Sequence, residues 1–85
     1  MHSTEYTDLA RTADEMSCVV TAFAPFRGLM SSYVVVYHNP EAECYVVWKM
    51  RAMRNGRSFT QWDWDKQLGS TDDLKVAMFL LKGNC

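Results

Sequence analysis

CYVVWKMRAMRNGRSFTQWDWD, residues 44–65, carries all three tryptophans of the chain and reads as one long β-hairpin. Asn55-Gly56 is a turn dipeptide with strand-forming residues on both sides. Loop length then decides which side chains share a face. A two-residue turn on Asn55-Gly56 sets Arg54 against Arg57. It also puts Asp63 and Asp65 on the face of Val46, Trp48 and Met50, where unpaired carboxylates are strongly disfavoured. A three-residue loop, Arg54-Asn55-Gly56, with Gly56 left-handed at a bulge, shifts the parity. Val46, Trp48, Met50 and Ala52 then share an inner face with Thr60, Trp62 and Trp64. The outer face holds Tyr45, Val47, Lys49, Arg51, Met53, Arg57, Phe59, Gln61, Asp63 and Asp65, with Arg51 opposite Phe59. This second register is the expected one.

Outward from the hairpin, the segments on either side have their own periods. Tyr33–His38 (YVVVYH) is apolar on both parities, the pattern of a central strand covered on both faces. Asn39-Pro40-Glu41 joins it to the hairpin as a turn. Cys18–Ala24 (CVVTAFA) is β-branched and aromatic and stops at Pro25, and Phe26–Ser32 is a loop around Arg27-Gly28. Between Ser3 and Met16, Tyr6, Leu9, Ala10, Ala13 and Met16 fall at helical spacing. Ser3 or Thr4 can cap that helix, and Glu5 and Asp8 suit its first turn. A last helix spans about Thr71–Lys82. Ser70 and Asp73 form a capping-box pattern at its start, and Gly83 is suited to its end. Leu74, Ala77, Met78 and Leu81 form its core face, Lys75 and Lys82 mark the opposite side, and Phe79 lies between the two lysines.

The result is a single α+β domain over residues 1–85. A four-stranded antiparallel β-meander carries a short N-terminal helix and a C-terminal helix packed on one face. Trp48, Trp62, Trp64, Val46, Met50, Leu74, Ala77, Met78 and Leu81 are its expected core.

With 85 residues, 48% hydrophobic and 22% charged, the chain has the composition of an ordinary globular domain. A formal net charge of −1 gives no global attraction to nucleic acid or to an anionic membrane. No apolar run has the length of a membrane span. Cys18, Cys44 and Cys85 are odd in number and lack paired spacing. With six methionines and no signal-peptide pattern, they point to the reducing cytoplasm. Met1 and the absence of a tag lead to the expectation of a complete small open reading frame.

The soft metal ligands are His2, Cys18, His38, Cys44 and Cys85, and no C-x-x-C or H-x-x-x-H spacing joins them. His38 and Cys44 flank one tight turn and are the one sequence-local nucleophile–base pair, weaker than the reading as a loop histidine and a buried thiol. Asp63 and Asp65 project from one face, but Lys49, Arg51 and Arg57 lie there too, which describes a solvated ion-pair surface. The expectation is therefore no enzyme, no cofactor and no metal.

Two binding readings stand. Lys49, Arg51, Arg54 and Arg57 with Tyr45 and Phe59 put cations and aromatics on one sheet face and its hairpin tip, as a single-stranded nucleic-acid platform would. Protein binding accounts for more: the last helix is more apolar than its sheet requires, Phe79 sits on its polar side, and Arg51 with Phe59 makes an exposed arginine–aromatic pair. Phe26, Leu29 and Met30 add apolar residues in a loop. The expected partner-binding residues are Lys49, Arg51, Arg54, Arg57, Phe59 and Phe79. A homodimer is expected as well.

A small chain with a β-meander, a flanking helix and no catalytic motif resembles the small phage- or prophage-encoded proteins that bind and inhibit host machinery, the anti-CRISPR proteins above all. The resemblance is one of format across the whole chain, with no residue motif to transfer. It implies a stoichiometric inhibitor or modulator of a host protein or complex.

Overall fold

Apolar residues on both parities of one strand require a cover on both faces, and the computed structural model supplies two. It describes residues 4–29 and 31–85. The expected contributions of Ser3, Thr4 and Glu5 to the first helix start, His2 as a ligand and Met30 as an exposed apolar residue lie outside the described residues and side chains. In chain order the elements are α1 (Thr4–Glu15), β1 (Val19–Pro25), a single 3-10 turn over Phe26–Gly28, β2 (Ser32–Asn39), β3 (Cys44–Asn55), β4 (Ser58–Thr71) and α2 (Leu74–Gly83). The strands form one antiparallel sheet in sequential order, β1-β2-β3-β4. The α+β meander with a helix at each end is thus the observed fold.

The helices lie on opposite faces. Val35 and Tyr37 of β2, Met50 of β3 and Trp62 of β4 pack with Leu9, Ala13 and Cys18 under α1, and Trp48, Ala52, Phe59 and Trp64 surround them. Val34 and Val36 of β2 and Val47 of β3 pack with Ala77 and Leu81 of α2 on the other side. The core expected from sequence joined the tryptophans to the C-terminal helix, and the structure separates them. The two groups share the sheet but face away from each other. Leu74, assigned to that core, is instead an exposed residue of α2.

Each helix is held by a different kind of contact. On α1, Thr12 is fully buried, and its hydroxyl meets the Tyr37 hydroxyl at 2.7 Å and donates to the Leu9 carbonyl at 2.7 Å. Burial pushes the Tyr37 phenol up to about 12, so it stays protonated as part of this pair. Asp8 accepts the backbone N–H of Trp62 and the guanidinium of Arg11, which also reaches Glu15, and Glu15 accepts the indole N–H of Trp64 at 3.1 Å. A polar line on α1 is therefore tied to β4.

On the other face, α2 starts at Asp73, whose carboxylate accepts the Lys75 backbone N–H at 2.8 Å. Ser70 and Thr71, expected in the cap, belong to β4. Asn84 rather than Gly83 is the C-terminal cap. Gly69 lets α2 approach β4 closely, since a Cβ there would stand 2.9 Å from the Leu80 methyl.

Burial by itself would raise the Asp8 carboxyl. The hydrogen bonds from Arg11 and from the Trp62 backbone, with the charge of Arg11, outweigh it and hold the group below its ordinary value of 3.8. A carboxyl depressed in the native state stabilises the fold at pH values above 3.8, and that contribution disappears as pH falls through the lower native value. Asp8→Asn is expected to lose about 1.5–3 kcal/mol at neutral pH, the scale of hydrogen bonds to a charged group. Urea unfolding at several pH values should show a smaller acid-side loss of stability for the variant than for the parent chain.

Candidate functional site

The hairpin tip decides where the expected site residues lie. Asn55 pairs with Ser58 and Arg54 with Phe59, so the turn is the two residues Gly56-Arg57 and not the expected loop Arg54-Asn55-Gly56; Gly56 is left-handed at φ 67°, as expected. Below the tip, however, β4 carries three bulges. Thr60, Asp65 and Leu68 each stand as an extra residue against β3. Between the first two, Met50 pairs with Trp64, Arg51 with Asp63 and Ala52 with Trp62, so the expected grouping of Met50, Ala52, Trp62 and Trp64 holds.

Across the Thr60 bulge the parity changes. Phe59 pairs with Arg54 and turns to the tryptophan side, half-buried with its ring centroid 5.2 Å from that of Trp62. The expected outer-face pair of Arg51 with Phe59 is accordingly not formed. Arg51 faces Asp63 across the strands, and the cation beside Phe59 is Arg54, with Cζ 6.0 Å from the ring centroid.

Lys49 and Arg51 on the outer face each have an acidic partner. Lys49 Nζ lies 3.1 Å from Asp65 and 4.6 Å from the centroid of Phe26, which tucks beneath it from the loop after β1. Arg51 lies 3.9 Å from Asp63. These residues form a strip of alternating charge on the part of the sheet beyond α2, with Met53 exposed beside it. The strip offers paired charges rather than a run of free cations, which weakens it as a phosphate-binding track. Arg57 is exposed at the tip turn.

Phe79 is remote from all of these on α2. It is 74% exposed, the most exposed of the large apolar side chains among the described residues. Leu74, Lys75, Met78, Phe79 and Lys82 line a shallow cleft of about 360 Å³ along the flank of the helix. Val76 is exposed on the other flank. The six expected residues thus divide into three places: Lys49 and Arg51 in the charged strip, Arg54, Arg57 and Phe59 at the hairpin tip, and Phe79 on α2.

Among the described residues no cluster of His, Cys, Asp and Glu could hold a metal ion. Cys18 is buried, and its thiol is pushed up first by burial and then by the nearby Cys44, which favours the protonated and unreactive form. The His38 ring lies against that of Tyr45, tilted by 30° with centroids 4.7 Å apart. No helix among the described residues is long and apolar enough to cross a membrane.

Sequence reasoning missed the line of Asp8, Arg11 and Glu15. Its signal was present: the three fall at helical i, i+3 and i+7 spacing, on a face beside Leu9 and Thr12. A cross-strand ion pair as exposed as Arg51–Asp63 contributes little. A double-mutant cycle on Arg51→Ala and Asp63→Ala, followed by urea unfolding, is expected to give a coupling of about 0.2–1 kcal/mol that falls with added salt. No protein-family model, no curated protein and no solved structure matches the chain.

Proposed function

We propose that the chain is a non-enzymatic interaction module that binds another protein stoichiometrically through the outer side of α2, as a small inhibitor or modulator. The observation that carries this reading is Phe79, 74% exposed on a helix that also leaves Leu74 and Val76 exposed. A helix needs one apolar stripe to pack on a sheet, and Ala77 and Leu81 with Met78 and Leu80 provide it. The remaining apolar residues are surplus to folding, and exposed aromatics set among neutral contacts are the usual anchors of protein interfaces. Lys75 and Lys82 border the cleft beside Phe79, so the surface suits an apolar partner with an acidic rim. The inhibitor class follows the format resemblance to small phage-encoded proteins, and the partner would then be a host protein or complex.

Binding of single-stranded nucleic acid is the competing reading, and it would use Arg54, Arg57 and the aromatic Phe59 at the hairpin tip. The pairing of Lys49 with Asp65 and of Arg51 with Asp63 counts against it.

Affinity capture with the parent chain and with Phe79→Glu distinguishes the two. Protein binding through α2 is expected to give a stoichiometric partner whose affinity falls about 30-fold or more in the variant, the scale of an interface hot spot. Thermal unfolding of Phe79→Glu should match the parent within about 0.5 kcal/mol, because the side chain packs on solvent. A partner retained undiminished by Phe79→Glu would remove α2 as the interface. Binding of a generic single-stranded oligonucleotide that weakens steeply with salt, and is lost in Arg54→Ala/Arg57→Ala, would replace the protein reading with the nucleic-acid one.

A further inference from the structure

We draw no further inference here: the strongest candidate, the uncharged edge strand β1 with Val19 and Phe23 exposed beside the cleft between α1 and β1, is an unpartnered apolar edge, and nothing in the structure shows what covers it.

Discussion

Every other element of this fold answers to the burial of β2 on both sides. Val34, Val35, Val36 and Tyr37 are all fully buried, and alternate residues of one strand point in opposite directions. No single helix can cover such a strand. The chain solves this with one helix from each terminus: α1 closes over Val35 and Tyr37, and α2 closes over Val34 and Val36. The hairpin continues both layers, with Met50 and Trp62 on the α1 side and Val47 and Leu68 on the α2 side. A small domain thus has two thin cores separated by one sheet, and each depends on a single helix for its cover.

The attachments of the two helices differ in a way that suits their sequences. α1 is rich in polar residues and gains its fit through directed contacts: the Thr12–Tyr37 hydroxyl pair, and the Asp8 and Glu15 carboxylates that receive N–H groups of Trp62 and Trp64. α2 is apolar nearly all round and relies on proximity, with Gly69 bringing it down onto β4. The indole groups show the same division. Trp64 finds Glu15, while Trp48 Nε1 is buried beside the Trp64 ring with no hydrogen-bond partner among the described residues.

Much of this was legible from residues alone. Tyr33–His38 is apolar on both parities, and that pattern correctly marked the doubly covered strand. Asn55-Gly56 marks the hairpin, and the unfavourable burial of Asp63 and Asp65 keeps Trp62 and Trp64 with Met50 and Ala52, but that parity comes from a Gly56-Arg57 turn and a bulge at Thr60 and not from the expected three-residue loop. What alternation cannot report is which helix covers which face. Ala77 and Leu81 were therefore assigned to the tryptophans although they pack on Val34, Val36 and Val47. Bulges are equally silent in the sequence, because each one resets the parity that the reading relies on. Phe59 is the residue that shows this, lying one bulge beyond Trp62 and so changing sides. The binding cluster expected on one face was dispersed for the same reason.

The three bulges of β4 bear on more than orientation. In a plain hairpin, sliding one strand by two residues preserves which side chains face inward, so that neighbouring alignments compete with the native one. Here such a slide would carry the unpaired positions at Thr60, Asp65 and Leu68 away from the places where β3 accommodates them. The irregularities therefore act as index marks that admit one alignment of two long strands. A strand rich in interchangeable aromatic and polar residues would otherwise have several near-equivalent ways to lie against its neighbour, and its notches leave it one.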